Sequence, residues 1–326
     1  MSAPAGPVRL RPVDFPAEVE AIVELLTAIN KHDQPGWFPS VSALTNDWAP
    51  TSTFFPDRDL QALELDGRLV GLARHSWRDR PTVVHHRAEV WVHPAVRRQG
   101  LGTQLLAWVA ARARESALEP HGLDTAKPRQ LGSNGPDNVP AAGAFAAALG
   151  FSPYRFHFEM RRPLSEAIPE IELPDGLEIR PVTPDQHRPI YDADEEAFQD
   201  HWDHAAPVEG DYERFYGEPD LDTTLWQIAW DRDEVAGLVI NTIYQHENEQ
   251  EGVLVGWLDS VATRRPWRGR GLAGALIVRS MAALRDRGMT EAGLGVDAEN
   301  PTGALRLYEK FGFRRIKTWT FYRKPF

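Results

Sequence analysis

The stretch that decides the fold reads Arg268-Gly269-Arg270-Gly271-Leu272-Ala273, and it returns in altered form as Arg97-Arg98-Gln99-Gly100-Leu101-Gly102. Each stretch follows an apolar run of strand type and precedes an amphipathic run with helical spacing. Where a strand turns through glycine into a helix, the first N–H groups of that helix are exposed at the positive end of its dipole. The pattern therefore predicts an anion site, and a pyrophosphate is the expected ligand.

Two familiar phosphate motifs are excluded by the same residues. A nucleotide P-loop ends in Gly-Lys-Ser or Gly-Lys-Thr, which neither stretch contains. The dinucleotide fingerprint requires another glycine spacing and an acidic residue at the end of the next parallel strand. The two stretches thus indicate phosphate binding of a different kind.

Three further landmarks recur in the same order, which indicates an internal duplication. All the separations lie between 162 and 171 residues. The pairs are Leu10-Arg11-Pro12-Val13 with Ile179-Arg180-Pro181-Val182, Val70-Gly71-Leu72 with Ala236-Gly237-Leu238, and Leu149-Gly150-Phe151 with Phe311-Gly312-Phe313. The proline-rich stretch at 163–176 resists both helix and ladder. We therefore predict two domains, residues 1–168 and 169–326.

Both halves show the same order of predicted elements. An extended start is followed by helical segments, a hairpin (with its turn at Asp66-Gly67 in the first half) and a further strand. The glycine-rich turn and its helix come next, then a strand that is clearest at 291–297, a short helix ending in Gly-Phe, and a last strand. This order predicts an α/β fold, of the α+β type with a mixed sheet and helices on both faces, in each half.

The charge balance and the residue composition restrict the partners. The 326 residues include 36 Lys and Arg against 47 Asp and Glu, a net charge of −11 that disfavours nucleic acid, whose phosphates require clustered positive charge. The chain has no cysteine, which removes thiolate metal sites and fits a reducing compartment. No signal-peptide pattern opens the sequence, and no apolar run of about 18 residues predicts a membrane span. We expect a cytoplasmic monomer or homodimer without a metal, nucleic-acid or membrane partner.

In the second half, an R-x-x-G-x-G/A turn after a strand is followed by a strand, an Asn, a helix with a Tyr, and a terminal Gly-Phe. These features are Arg268 to Ala273, Asn300, Tyr308 and Gly312-Phe313. With them the second half resembles the GNAT superfamily of acyl-CoA N-acyltransferases. The first half keeps the turn and the Gly-Phe end with a less similar middle. The whole layout is similar to that of tandem GNAT proteins of the mycothiol synthase type.

The resemblance implies acetyl-CoA as cofactor, with CoA as product. It implies that the backbone at the end of the strand bonds the pantetheine arm and that the turn holds the pyrophosphate. The residues implied in the second half are Val261, Ala262, Thr263, Arg268, Gly269, Arg270, Gly271, Leu272, Ala273 and Asn300. Those implied in the first half are Val90, Trp91, Val92, Arg97, Arg98, Gln99, Gly100, Leu101 and Gly102.

Tyr308 occupies the place of the proton donor in this family, eight residues after Asn300. The residue eight after Asn138 is Ala146, so the first half lacks the acid and is expected to be catalytically degenerate. Two other interpretations of Tyr308 stay open. An aromatic residue at this place could pack in the core or only bind the cofactor.

Asp259 is the candidate general base. It lies two residues before Val261 and four before Thr263, and strand alternation would place all three side chains, with Trp257, on one face. The first half has Ala88 at the matching place. Alternatively, Asp259 only binds the amine of the substrate or caps a bulge.

The acceptor is expected over residues 192–222, which are rich in acidic and aromatic side chains. Such a surface suits a cationic amine, but it could equally be a solvated helix face. His201 and His204, with Asp200 and Asp203, are interpreted as a solvated loop because a metal site would need a further ligand elsewhere. The sequence thus predicts an acetyl-CoA-dependent N-acetyltransferase that acts on a primary amine of a small acceptor. The alternatives are a non-catalytic acyl-CoA sensor or scaffold and a protein N-acetyltransferase.

Overall fold

The computed structural model describes residues 7–117, 127–202, 204–300 and 303–326. Packing divides them into two compact units that are not linear halves. Unit 1 contains the described residues up to Tyr154, together with Ala205–Pro219 and Thr320–Phe326, and unit 2 contains Arg155–His204 and Asp220–Trp319. The predicted ranges 1–168 and 169–326 describe the two sequence repeats, whereas these units are defined by packing. The boundary between the repeats therefore stays a prediction.

Unit 1 contains four antiparallel strands and a fifth, parallel strand, with three helices between its first two strands. Its strands are β1 (Val8–Pro12), β2 (Leu60–Leu65), β3 (Arg68–Asp79), β4 (Val84–Val92) and β5 (Arg129–Pro136). Its helices are α1 (Val19–Asp33), α2 (Val41–Asp47), α3 (Pro56–Asp59), α4 (Leu101–Ser116) and α5 (Pro140–Ala148). The sheet order is β1-β2-β3-β4-β5, antiparallel except for the parallel β4–β5 pair.

Two separate hydrophobic clusters cover the sheet of unit 1. In α1, buried Ile22, Leu25, Leu26 and Ile29 recur at steps of three and four and pack with Trp48. The second cluster gathers apolar residues of α4, including Leu105 and Val109, with residues of β3, β4 and β5. Each fully buried leucine or isoleucine contributes about 1.5–3 kcal/mol. Helices thus stabilise the sheet through two clusters.

Unit 2 repeats this plan with its own set of parallel and antiparallel strands. Its strands are β6 (Ser152–Pro163, from Arg155 onward), β7 (Glu178–Ile179), β8 (Gln227–Asp231), β9 (Glu234–Thr242), β10 (Val255–Thr263), β11 (Glu291–Asp297) and β12 (Arg314–Pro325, up to Trp319). Its helices are α6 (His187–Phe198), α8 (Gln245–Glu251), α9 (Leu272–Asp286) and α10 (Ala304–Lys310), while α7 (Asp211–Tyr216) belongs to unit 1. The strands β10 and β11 are parallel, and α9 packs over them through buried Leu276, Ile277 and Met281.

The last strand of the first half explains why the units are not linear. β6 runs antiparallel to β11, from Pro163 opposite Glu291 to His157 opposite Asp297. In return, the end of β12, from Thr320 onward, belongs to unit 1. A prediction based on one strand after each Gly-Phe pair finds both strands but cannot assign them to a sheet.

The remaining predicted elements agree closely with the structure. β11 has the bounds expected from the sequence, and the hairpin of the first half turns at Asp66-Gly67. The mixed α/β fold class is confirmed. No helix in the described part of the chain is both long and apolar enough to cross a membrane.

Candidate active site

The strands β10 and β11 of unit 2 separate half-way along their length. Their parallel pairing runs from Val255–Glu291 to Leu258–Leu294. Beyond it, β10 continues along β9 to Thr263, and β11 continues along β6 to Asp297. The backbone N–H and C=O groups at the end of β10 therefore face an opening between β10 and β11. An extended ligand could form hydrogen bonds with these groups.

A β-bulge lies where the two strands begin to part. Leu258 pairs with Asn241 and Ser260 pairs with Ile240, so Asp259 is the extra residue of β10. A bulge places two residues opposite one, bends the strand and changes the direction of the side chains. Bulges are common beside active sites for this reason.

The bulge corrects the expected arrangement of side chains on β10. Val261 packs against the hydrophobic cluster of α9, and Thr263 lies with Leu272 beside Gly237. The carboxyl of Asp259 instead accepts hydrogen bonds from Thr242 and from the hydroxyl of Tyr244, the latter at 3.0 Å. The expectation that Asp259 shares one face with Val261 and Thr263 is wrong, because the bulge interrupts the alternation.

The electrostatics around Asp259 favour a basic carboxylate. Part of the surface of Asp259 is exposed to solvent, but the protein atoms around its carboxyl group remove hydration from the carboxylate and so raise its pKa. The hydrogen bonds from Thr242 and Tyr244 offset only part of this rise. A raised pKa brings a carboxylate nearer to the working pH of a general base.

A second carboxylate with a raised pKa, Asp194 of α6, adjoins the bulge. The hydroxyl of Ser260 donates to Asp194 Oδ1 at 2.5 Å. Burial raises the pKa of Asp194 to about 6, although the hydrogen bond from Ser260 lowers it. Asp194 belongs to the acidic segment 192–222 expected over the acceptor, but the sequence predicts neither its contact with Ser260 nor that of Tyr244 with Asp259, because these contacts depend on the packing of α6 and on the bulge.

The glycine-rich turn follows β10 and ends at α9. Gly269 and Gly271 have φ values of 76° and 84°, in the left-handed region that favours glycine. Among the described residues, no atom beyond the chain neighbours lies within 4 Å of the place that a Cβ would take on either glycine. Leu272 and Ala273 are the first residues of α9. The turn therefore offers open backbone at a helix N-terminus, which suits a phosphate.

The two arginines of this turn make contacts within unit 2. Arg268 donates to the carbonyl oxygens of Thr263 at 3.0 Å and Ala197 at 3.2 Å, and to Asp200 at 3.2 Å. Arg270 donates to the carbonyl oxygen of Asp175 at 3.2 Å. The guanidinium of Arg268 thus joins the end of β10 to the end of α6.

Tyr308 lies on α10 with its ring in the core of unit 2. It is 6% exposed and meets Phe313 edge to face, with ring centroids 6.1 Å apart. Burial raises the pKa of Tyr308 to about 12. The side chain therefore has both the packing role considered from the sequence and a hydroxyl that is protonated at neutral pH.

Asn300 follows β11 in a turn. Its backbone N–H bonds the carbonyl oxygen of Asp297 at 3.1 Å. Pro301 and Thr302 of the quoted motif, and Asp203 of the histidine-rich loop, lie outside the described residues. Among the residues that are described, no group of three His, Asp or Glu side chains is arranged to hold a metal ion.

Unit 1 carries a second turn with the same backbone shape. Val90, Trp91 and Val92 end β4, Leu101 and Gly102 begin α4, and Gln99 lies in the turn between them. Arg98 and Gly100 have φ values of 65° and 82°, matching Gly269 and Gly271. The phosphate-type turn is thus repeated even where an arginine replaces a glycine.

The acidic segment expected over the acceptor is divided between the units. Residues 205–219 belong to unit 1, where Asp211 pairs with Arg78 at 2.8 Å. In unit 2, Asp200 pairs with Arg265 at 2.5 Å and Asp222 with Arg287 at 2.9 Å. These carboxylates neutralise arginines of the protein, which weakens the sequence argument for a cationic acceptor.

Comparisons with known proteins agree with this geometry. The family described as "Acetyltransferase (GNAT) family" matches residues 20–151 and 187–313. A mycothiol acetyltransferase of Thermomonospora curvata is 31% identical over 310 residues, covering 94% of each chain. Another, of Thermobispora bispora, is 33% identical over 238 residues, covering 72% of this chain and 75% of its own.

Two solved structures share the architecture over nearly the whole length. A GCN5-related N-acetyltransferase from Sphaerobacter thermophilus has a TM-score of 0.71 and 26% identity, covering 99% of this chain and 97% of its own. A tandem GNAT protein from the clavulanic acid biosynthesis pathway also has a TM-score of 0.71, with 18% identity and 98% of both chains covered. At that identity the second structure indicates the fold alone.

Proposed function

This chain belongs to the GNAT family of acetyltransferases, and from that premise we propose that unit 2 moves an acetyl group from acetyl-CoA to the primary amine of a small acceptor. The chain is an acetyltransferase of the GNAT type, like the relatives it matches over most of its length. The observation that carries the proposal is the conjunction, in one unit, of an open strand-to-helix turn, a carboxylate at a bulge and a buried tyrosine.

Members of the family use acyl-CoA, and the turn of unit 2 fits its phosphates. We propose that the backbone N–H groups of residues 269–273 hold the pyrophosphate, beside Arg268, and that the backbone of Val261–Thr263 bonds the pantetheine arm. The open space around Gly269 and Gly271 supports this assignment. When bound, acetyl-CoA supplies the thioester whose acetyl group is transferred. The matching residues of unit 1, from Val90 to Gly102, are proposed to bind acyl-CoA as well.

Asp259 is proposed as the general base. An amine attacks only after it has lost its ammonium proton, and the Asp259 carboxylate accepts that proton directly or through one water. The hydrogen bonds from Thr242 and Tyr244 fix the carboxyl in one orientation. The raised pKa of Asp259 makes it a stronger base than an ordinary aspartate.

Tyr308 is proposed as the general acid. With a pKa of about 12, its hydroxyl retains its proton at neutral pH and can give it to the departing sulfur. In the balanced step a C–N bond forms and the C–S bond breaks. The nitrogen gives up two protons as the ammonium becomes an amide: the first passes to Asp259 before attack, and the second, released after attack, restores the proton that Tyr308 gives to the departing thiolate.

The acceptor is proposed to be a small molecule. The relatives are named mycothiol acetyltransferases, so an amine of the mycothiol type is the first acceptor to test. The absence of cysteine supports a reducing compartment, and we propose the cytoplasm. A second function is favoured for unit 1 alone, since it keeps the turn but has Ala146 in place of Tyr308: it would bind acyl-CoA without turnover.

The test is release of CoA thiol from acetyl-CoA with a panel of amines. The panel contains mycothiol-type amines, polyamines, amino sugars and peptides with a free N-terminus. Turnover with a small amine supports the proposal, whereas turnover with peptides alone would make the chain a protein N-acetyltransferase. Tight acetyl-CoA binding without thiol release for any amine would make it a sensor.

A further inference from the structure

The first arginine of each glycine-rich turn, Arg268 or Arg97, donates hydrogen bonds to the last residue of the preceding strand and to an aspartate at or just after the end of the first long helix of its unit. We call this set of hydrogen bonds the bracket. In unit 2, Arg268 Nε donates to the carbonyl oxygen of Thr263, the last residue of β10, at 3.0 Å. Its two terminal nitrogens donate to Asp200 and to the carbonyl oxygen of Ala197, both at 3.2 Å. Asp200 lies two residues after the end of α6.

Unit 1 contains the same bracket. Arg97 Nε donates to the carbonyl oxygen of Val92, the last residue of β4, at 2.9 Å. Its two terminal nitrogens donate to the two carboxylate oxygens of Asp33, each at 2.7 Å. Asp33 is the last residue of α1, the helix that corresponds to α6. Because the arrangement occurs twice, it is not an accident of one loop.

The charge balance of the bracket decides what the arginine can offer to a phosphate. A guanidinium has five N–H donors in a rigid fork, and the bracket uses donors on all three nitrogens of Arg268. Asp33 also neutralises the charge of Arg97. Asp200, in contrast, is shared between Arg265 at 2.5 Å and Arg268 at 3.2 Å and so offsets one of two positive charges. Among the described residues, the backbone at Gly269 and Gly271 is open, and the N–H groups that follow lie at the positive end of the α9 dipole.

We propose that Asp33 and Asp200 are positioning residues for the two acyl-CoA turns. Each holds the arginine that ties the end of the strand to the turn, so that the backbone N–H groups of the turn, and not the guanidinium, bind the pyrophosphate. The inference rests on the proposed function only in taking acyl-CoA as the ligand. It adds a residue from the first helix of each unit to the cofactor site.

The titration behaviour of both carboxylates is in accord with this pairing. Hydrogen bonds from Arg265 and Arg268 lower the pKa of Asp200. Burial raises the pKa of Asp33, but the hydrogen bonds from Arg97 and His32 outweigh it and leave the pKa below its usual value. Both carboxylates are therefore charged at neutral pH and hold their arginines electrostatically.

A double-mutant cycle in the full chain distinguishes two roles of Arg268: support of the turn, which we call bracing, and direct contact with the phosphate. Asp200→Asn, Arg268→Gln and the double variant are compared for the KM of acetyl-CoA and for kcat. Under the bracing proposal each single variant raises the KM of acetyl-CoA by a similar factor, on the order of tenfold, and the double variant is no worse than either. If Arg268 contacted the phosphate, Asp200→Asn would leave the KM unchanged or lower it, because it releases the guanidinium, and the proposal would be overturned.

Controls keep the outcomes distinct. Glu178→Gln removes an exposed ion pair with Arg180 in the same unit, at 2.7 Å, and should leave the KM unchanged. If Asp200→Asn fails to fold, Asp200→Glu is used: it keeps the charge, so it should raise the KM less than Arg268→Gln, and an equal or larger rise counts against the proposal. For unit 1, Asp33→Asn and Arg97→Gln should weaken one class of acetyl-CoA site in calorimetry without changing the KM of turnover. A wild-type protein that binds no acetyl-CoA would contradict the proposed function, whereas wild-type binding with additive variants contradicts this inference alone.

Discussion

The strands that lead into the two turns differ by one residue. In unit 1, β3 and β4 pair without interruption from Gly71–Val92 to Asp79–Val84. In unit 2, the register of β9 and β10 shifts at Asp259. The His75–Ala88 pair thus corresponds to Asn241–Leu258, and the next pairs again correspond, so Asp259 has no counterpart in unit 1. The comparison teaches that the candidate base of unit 2 is an extra residue of the strand and not a different residue at a shared position.

The helices after the fifth strands differ in the opposite way, by substitution at a shared position. Tyr308 of α10 corresponds to Ala146 of α5, and both are buried. The strand that packs nearby compensates in volume: unit 1 receives Tyr322 of β12, whereas unit 2 has Met160 of β6 at the equivalent position. Each unit thus has one tyrosine in or against its core at this place, carried by α10 in unit 2 and by β12 in unit 1.

The largest expected effect is on turnover. Tyr308→Phe removes one hydroxyl from unit 2 and should lower kcat by about 10²–10⁴, the usual range for loss of a general acid, with little change in acetyl-CoA affinity. Tyr322→Phe is the matched control in unit 1 and should leave kcat unchanged. Thiol release and calorimetry measure the two quantities. Equal losses in both variants would abolish the proposed asymmetry, and a loss of affinity alone would remove Tyr308 from the acid role.

The bulge gives the next effect. Asp259→Asn keeps the shape of the side chain but removes the base. Because water can take the proton instead, kcat should fall roughly tenfold to a hundredfold, at or below the lower end of the usual acid–base range of about 10²–10⁴. The pKa of Asp259 is raised, so the acidic limb of the wild-type pH profile should lie above the ordinary aspartate value and disappear in Asp259→Asn. If the limb persists in Asp259→Asn and is lost in Asp194→Asn, Asp194 is the base.

The sequence was sufficient for the features that depend on local chemistry. The turn at 268–273, the helix after it and the strand at 291–297 follow from glycine, periodicity and spacing, and the structure has them. The bulge at Asp259 could not be predicted, because it exists only relative to the partner strand β9. Asp194 comes from α6 and Asp200 from the turn after it, both far away in sequence, and the pairing of β6 with β11 joins strands of different halves of the sequence.

The polar cores predict a different response to acid. Unit 1 buries Asp59, His75 and His86, with the two histidines 3.1 Å apart, where unit 2 has Asn241 bonded to Ser280 at 3.0 Å. Burial, then the charges on His75 and Arg129, lower the pKa of His86 to about 3 from 6.5. Between pH values of about 6.5 and about 3, His86 therefore binds a proton in the unfolded chain but not in the folded chain. The free energy of unfolding consequently decreases as the pH falls through this range.

The expected slope is about 1.4 kcal/mol per pH unit for His86 within that window. Amide hydrogen exchange at several pH values measures it, with β3 and β4 of unit 1 followed against β9 and β10 of unit 2. We expect the protection of β3 and β4 to fall more steeply. If the protection of the strands decreased equally in the two units, the buried pair His75 and His86 would not be the cause of a difference in acid stability.

The smallest effect concerns the way in which α5 accommodates Tyr322. A Cβ on Gly143 would lie 2.8 Å from the hydroxyl of Tyr322. Gly143→Ala should therefore lower the free energy of unfolding by about 1 kcal/mol, since overpacking costs more than the gain in helix propensity. In a Tyr322→Phe background the hydroxyl is absent, and the same substitution should stabilise by up to about 1 kcal/mol. Denaturant unfolding of the wild type, the two single variants and the double variant gives the coupling free energy between Gly143 and Tyr322. An equal effect of Gly143→Ala in both backgrounds would show that the hydroxyl of Tyr322 does not restrict position 143 to glycine.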